Sequence, residues 1–158
     1  MVDISKKAVI FDIDGVLSEP SKRLIYIKHE PKLWDKFYEN CESDKPIGAG
    51  CSVAYSCVRE LNVVKFLTGR PEKCRKATLE WLHEYISEYI RSEDLIMREN
   101  WNPVPDVSFK RKIGEEIGFD NILCVFEDKE NIVNMWLENG VTCFKTKQGV
   151  KKRSDSNE

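Results

Sequence analysis

The chain has 158 residues, a length typical of one domain with a single hydrophobic core. Its net charge of -2, with 41% hydrophobic and 33% charged residues, excludes attraction of nucleic acid by the whole surface. No apolar run approaches the roughly 18 residues that a membrane-spanning helix needs, so we expect no contact with a membrane. Residues 1–7 lack the apolar core of a secretory signal, and the six cysteines form no C-x-x-C pair. We therefore expect a cytoplasmic protein with reduced thiols.

Segments with strand and helix character alternate along the chain. The predicted strands are apolar runs at residues 7–11, 62–67, 94–98, 122–126 and 141–144. The predicted helices, which have apolar residues at helical spacing, cover residues 52–60, 71–90, 109–117 and 129–138. This alternation predicts an α/β fold, a three-layer α/β/α Rossmann-like domain around a mostly parallel sheet.

One segment does not fit the alternation. Residues 18–50 are polar, contain three prolines and several aromatic residues, and have only weak helical character. We expect a small cap-like insertion after the first strand, within a single domain of residues 1–150. The polar tail at 151–158 is predicted to be disordered.

Polar residues follow the predicted strands at the edge of the sheet where α/β proteins bind ligands. They are Asp12 and Asp14 after the first strand, Thr68 after the second, Lys110 in the helix after the third, and Glu127 and Asp128 after the fourth. Carboxylates that converge on one place stay ionised together only beside a cation. Because all the candidate ligands are oxygen atoms, the predicted cofactor is Mg²⁺.

These groups suit phosphoryl transfer, which needs a metal, hydrogen-bond donors for phosphate oxygens and an oxygen nucleophile. Asp12 is the candidate nucleophile, because a carboxylate can form an aspartyl-phosphate. Asp14 is the candidate general acid and base. Thr68 and Lys110 are the candidate donors to the phosphate.

Four segments in order carry a family resemblance: FDIDGVL, FLTGR, Lys110 and VFEDKE resemble the motifs of haloacid dehalogenase superfamily phosphatases. The longer stretches LTGRPE, MRENWNPVPDVSFK and FEDKENIVNMWLENGVTCF resemble the 3'-phosphatase domain of bacteriophage-type polynucleotide kinase–phosphatases. The resemblance covers residues 8–144 and is weakest in the insertion. No phosphate-binding loop of the kinase type, G-x-x-x-x-G-K-[ST], occurs in the sequence.

The resemblance implies the same roles for Asp12, Asp14, Thr68 and Lys110. It implies metal binding by the Asp12 side chain, the Asp14 carbonyl and Asp128, with Glu127 holding a metal-bound water or orienting Lys110. It also implies that the substrate phosphate is bound near Gly69, Arg70 and Arg98. The loop after Arg98 departs from the family pattern, with Asn102 and Val104 in place of an acidic and a basic residue.

The predicted function is a Mg²⁺-dependent phosphomonoesterase that removes 3'-phosphates from polynucleotide ends or nucleotides. Two alternatives remain open at this point: a nucleotidase for free 5'- or 3'-mononucleotides, and a binding module that has lost turnover. For Trp101 the sequence leaves base stacking and a structural role open, whereas Trp34 is expected to pack inside the insertion. The sequence indicates no protein partner.

Overall fold

The computed structural model describes residues 7–60 and 63–147, so the predicted disordered tail lies outside the described residues. The strands are β1 (Ala8–Phe11), β2 (Ser18–Glu19), β3 (Lys45–Pro46), β4 (Val64–Pro71), β5 (Leu95–Arg98), β6 (Ile122–Glu127) and β7 (Cys143–Lys145). Five of them form one parallel sheet in the order β5-β4-β1-β6-β7, and β2 pairs with β3 in antiparallel fashion. This topology confirms the predicted α/β class.

Helices cover both faces of the sheet. They are α1 (Trp34–Glu39), α2 (Gly48–Glu60), α3 (Arg75–Tyr85), α4 (Asp106–Ile117) and α5 (Glu130–Glu138). The side chains of β1 alternate between two hydrophobic cores, because successive residues of a strand point to opposite faces. Val9 and Phe11 join the core under α2 and α3, whereas Ala8 and Ile10 join the core under α4 and α5.

Several boundaries differ from the prediction: α2 begins at Gly48 rather than residue 52, α3 at Arg75 rather than residue 71, and α4 at Asp106 rather than residue 109. Strand β4 continues through residues 68–71, where a turn was expected, because Pro71 still pairs with Arg98 of β5. Helix α3 ends at Tyr85 rather than near residue 90. Just beyond its end, the Ser87 hydroxyl accepts a hydrogen bond from the Tyr89 N–H at 3.3 Å, a local bond that competes with helix formation.

The segment between β1 and α2 forms a small layer over the carboxyl edge of the sheet. It contains β2, β3, α1 and three short 3₁₀ turns, at Pro20–Lys22, Leu24–Tyr26 and Cys41–Ser43. The buried Trp81 side chain of α3 fastens this layer by donating to the Asp44 carbonyl at 2.9 Å. Among the helices of residues 7–60 and 63–147, none is both long and apolar enough to cross a membrane. All six cysteines lie in these ranges and have free thiols.

Candidate active site

The predicted acidic residues of β1 and β6 meet at the carboxyl edge of the sheet. Asp12 follows β1 directly, Glu127 is the last residue of β6, and Asp128 comes next. Each of the three offers a carboxylate oxygen within 4.8 Å of the others. These strands are neighbours in the sheet, so their ends bring together residues that are more than a hundred positions apart.

Lys110 joins this group from the second turn of α4. Its Nζ donates to Asp12 Oδ1 at 2.8 Å and to Glu127 Oε2 at 2.6 Å, and its side chain is buried. The other Glu127 oxygen accepts the backbone N–H groups of Asp128 and Lys129, at 3.0 and 3.2 Å. We call Asp12, Lys110, Glu127 and Asp128 the floor cluster.

The floor cluster holds more negative than positive charge. Burial, and after it the charge of Glu127, raises the pKa of Asp12 to about 7 against the opposing effect of Lys110. Burial also raises the pKa of Glu127 and of Asp128. Within residues 7–60 and 63–147, the buried Asp128 Oδ1 has no hydrogen-bond partner. An orphaned carboxylate oxygen beside two other acidic groups is the feature expected of a cation site.

Gly15 allows the loop after β1 to lie against this cluster. Its φ angle is +89°, and a Cβ atom there would come within 2.2 Å of Asp128 Oδ2. Any other residue would be strained and would displace the Asp128 carboxylate. The glycine of the DIDG motif is therefore required for the backbone next to Asp14 to approach the acidic group.

Asp14, only two residues from Asp12, has a different environment. Its Oδ1 accepts from Arg70 Nη2 at 2.6 Å and from Arg23 Nη2 at 2.8 Å. Both guanidinium groups also bind Asp44, which accepts from Arg23 at 2.7 and 2.5 Å and from Arg70 at 3.1 Å. Burial favours a protonated Asp14, but Arg70 and then Arg23 hold the pKa of this carboxyl well below its usual range. We call Asp14, Arg23, Arg70 and Asp44 the arginine cluster.

A cleft of about 740 Å³ opens above both clusters. Asp12, Asp14, Thr68, Gly69 and Asp128 line its inner end. Asp106 lies close to this end: an added Cβ on Gly69 would be 2.4 Å from its Oδ1, and its Oδ2 accepts from Lys129 Nζ at 2.6 Å.

The structure brings together most of the predicted site residues. Arg98 also lines the cleft, but its guanidinium group already has partners. Its Nη2 donates to Asp106, and its Nη1 donates to the Val104 carbonyl at 2.6 Å. Arg70 was predicted to bind substrate, yet it is fully buried, is absent from the cleft lining and hydrogen-bonds to Asp14. The observed charged partners of Arg70 are Asp14 and Asp44, and its binding of substrate stays a prediction.

Sequence reasoning missed Arg23 and Asp44. Arg23 is one of several basic residues in the segment 18–50, but only 1% of it is exposed. Trp34 packs within the insertion as predicted, with its ring centroid 5.9 Å from that of Phe37 and 6.0 Å from that of Tyr38, but 46% of it is exposed and it also lines the cleft. No local pattern in residues 18–50 distinguishes the buried Arg23 from its exposed basic neighbours.

The parallel sheet, with an acidic group and a buried lysine at its carboxyl edge, defines a phosphatase of the haloacid dehalogenase (HAD) class. The family model described as "Polynucleotide kinase PNKP phosphatase domain" matches residues 6–150. The chain belongs to that family, which confirms the resemblance inferred from its motifs.

Individual relatives agree with this assignment. The chain is 26% identical, over 132 residues, to the "Putative bifunctional polynucleotide kinase/RNA ligase" of Autographa californica nuclear polyhedrosis virus, a match that covers 82% of this chain and 18% of the relative. A chain in the structure of the Pnkp1/Rnl/Hen1 complex matches with 25% identity and a TM-score of 0.71, covering 89% of this chain and 46% of that one. The chain thus spans less than half the length of both relatives.

A third match concerns the fold alone. A HAD family enzyme of Bacteroides thetaiotaomicron, solved with magnesium and inorganic phosphate, has 12% identity and a TM-score of 0.54. The match covers 94% of this chain and 97% of that one.

Proposed function

We propose that the chain is a Mg²⁺-dependent phosphomonoesterase that removes the 3'-phosphate of a polynucleotide end or nucleotide through an aspartyl-phosphate. The observation that carries the proposal is the floor cluster, in which Asp12 is held by Lys110 beside an orphaned Asp128 oxygen. Family membership supports phosphatase chemistry, and the names of the relatives support a polynucleotide substrate.

The floor cluster fits a hard divalent cation. Its three carboxylates and one ammonium leave two negative charges in a buried place, and its potential ligands are all oxygen atoms. Asp12, Asp128 and the Asp14 carbonyl would hold the ion, and Glu127 would orient Lys110 or a metal-bound water. When bound, Mg²⁺ would neutralise charge on the phosphate oxygens.

Asp12 would act as the nucleophile of the first step. One of its carboxylate oxygens would form a bond to phosphorus while the bond from phosphorus to the leaving oxygen breaks. Lys110 is buried beneath the cleft lining and uses two N–H groups for Asp12 and Glu127, so its third is the one left for a phosphate oxygen bound at Asp12. Thr68 at the inner end of the cleft would donate its hydroxyl to another phosphate oxygen.

Asp14 would act as general acid in the first step and as general base in the second. In the second step a water attacks phosphorus, its proton passes to Asp14, and the bond from phosphorus to Asp12 breaks. Arg70 and Arg23 keep Asp14 in the ionised form that accepts this proton, and because the same contacts lower its pKa, they make it a weak base but a strong acid once it is protonated. The proton gained is then available to the leaving oxygen of the next substrate, which balances the cycle.

The test compares Asp12→Asn with wild type in phosphate release from three substrates: a 3'-phosphorylated oligonucleotide, its 5'-phosphorylated counterpart and a 3'-mononucleotide. We expect wild type to hydrolyse the 3'-phosphates in Mg²⁺ and the variant to lose turnover while keeping its fold. Asp120→Asn, an exposed acid in the turn Phe119–Asn121, serves as the matched control. Full activity of Asp12→Asn would exclude the covalent mechanism.

One observation favours the nucleotidase alternative. Lys73, just after β4, pairs with Asp35 of α1 at 2.5 Å and links the insertion to the opposite side of the cleft. If this pair held the insertion over the cleft, small substrates would be favoured over polymers. Faster hydrolysis of mononucleotides than of oligonucleotides in the same assay would select this alternative.

Cytoplasmic location and the boundary of the domain at residue 150 stay predictions.

A further inference from the structure

Trp101 occupies a place that neither folding nor packing explains. It lies in the loop between β5 and α4, and 80% of it is exposed. Among the described residues no aromatic ring packs against its indole. A single exposed apolar side chain is common on protein surfaces, so exposure alone assigns no role to Trp101.

The backbone at Trp101 is strained as well. Its φ angle is +62°, in the left-handed region that residues other than glycine rarely adopt. The Asn102 N–H donates to the Glu99 carbonyl at 3.4 Å, which places Trp101 third in a four-residue turn. Glycine is the residue favoured at such a position. Strain that yields no packing contact is typical of functional sites.

The loop that carries Trp101 is held in place before any ligand arrives. Asn102 Oδ1 accepts from the Val104 N–H at 3.0 Å, and Asn100 Oδ1 accepts from the Lys73 N–H at 2.8 Å. The Arg98 guanidinium donates to the Val104 carbonyl at the other end of the loop. The indole is therefore presented by a fixed loop, which lowers the entropy that a ligand must overcome on binding.

The position of the Trp101 indole in the cleft indicates which kind of ligand it binds. Trp101 lines the same cleft as Asp12 and Asp128, so the ring and the floor cluster face one cavity. Trp34 and Leu24 of the insertion also line this cleft, which makes its outer part apolar. Lys73 Nζ, which pairs with Asp35 at 2.5 Å, lies 5.3 Å from the centroid of the Trp101 ring, within cation–π distance.

We propose that Trp101 is a stacking platform for the nucleobase of the nucleotide whose 3'-phosphate is removed. The inference rests on the proposed function and adds a specificity-determining residue to it. A planar ring joined through a sugar to a phosphate is the ligand chemistry that matches an indole, an apolar cleft and a phosphate site in one cavity. Because stacking uses the face of the base, the platform accepts all four bases.

The test uses two single-stranded oligonucleotides with a 3'-phosphate, one with a normal terminal nucleotide and one with an abasic terminal sugar. Wild type is expected to prefer the first by a factor on the order of 10 to 100 in kcat/KM. Trp101→Gly should raise KM on the first substrate by that factor, leave kcat unchanged and hydrolyse the abasic substrate like wild type. Trp101→Phe, which keeps a flat ring, should retain most of the preference.

Two further measurements separate this role from a structural one and from failure of the proposed function. Trp101→Gly suits the turn, so its thermal midpoint should equal or exceed that of wild type, whereas a structural role predicts a lower one. If no 3'-phosphate is hydrolysed, the proposed function fails, and tryptophan fluorescence tests the inference. The oligonucleotide should quench the fluorescence of Asp12→Asn more strongly than that of the double variant with Trp101→Gly, in which Trp34 is the tryptophan that still lines the cleft. Equal quenching of both proteins, or equal KM values for wild type and Trp101→Gly, would overturn the proposal.

Discussion

The floor cluster and the arginine cluster lie side by side and balance their charges in opposite ways. The floor cluster has three carboxylates for one ammonium, Lys110, and leaves an Asp128 oxygen without a partner. The arginine cluster pairs two carboxylates with two guanidinium groups, and Asp44 contacts both. The first cluster is left with an excess of negative charge, on which the proposed cation site rests, whereas the charges of the second are balanced within the protein.

The comparison explains how two aspartates separated by one residue can take different roles. Asp12 has a pKa raised to about 7 by burial and by Glu127, whereas that of Asp14 lies well below its usual range because of Arg70 and Arg23. The difference arises from the elements that surround each residue. Helix α4 and strand β6 enclose Asp12, while the insertion brings Arg23 and Asp44 to Asp14.

The largest expected effect comes from removing one charge of the arginine cluster. Asp44→Asn leaves Arg23 and Arg70 with only Asp14 between them in a buried place, and we expect a loss of about 3–5 kcal/mol in the free energy of unfolding. Urea denaturation measures this loss. Glu42→Gln, an exposed acid in the same segment, is the control and should change the free energy by less than about 0.5 kcal/mol. A similar small change for Asp44→Asn would mean that the arginine cluster does not hold the insertion in place.

The next effect concerns the cation of the floor cluster. Mg²⁺ at about 100 times its dissociation constant should stabilise the wild type by about 2.7 kcal/mol, because it binds only the folded state. Asp128→Asn should abolish this gain. Asp14→Asn should retain it, since the proposed metal ligand there is the backbone carbonyl. The gain is measured for the wild type and both variants as the difference between the thermal midpoints in Mg²⁺ and in EDTA. An equal gain in stability for the wild type and Asp128→Asn would mean that the ion binds outside the floor cluster.

The two clusters also differ in how far the sequence predicts them. The floor cluster follows from the positions of acidic residues after apolar runs, because neighbouring parallel strands end at the same edge of the sheet. Asp12, Glu127 and Asp128 were identified in this way.

The arginine cluster could not be predicted in the same way. Residues 18–50 have no period that assigns a side chain to a face, and a long arginine can point to solvent or to a buried carboxylate. Arg23 therefore resembles Lys22 in the sequence, although Arg23 is buried and Lys22 is exposed. Trp34 and Trp101 illustrate the same limit, because exposure of an aromatic residue depends on tertiary contacts.

The smallest expected effect comes from the exposed pair between Lys73 and Asp35 at the outer end of the cleft. Asp35 is 54% and Lys73 33% exposed at the side chain, so water and salt screen the pair. Asp35→Asn should lower the free energy of unfolding by no more than about 1 kcal/mol, and less in high salt. Urea denaturation at low and high salt measures the effect, with Glu39→Gln on the same helix as the control. A loss above about 2 kcal/mol that persists in high salt would mean that this pair fastens the insertion over the cleft, as the nucleotidase alternative requires.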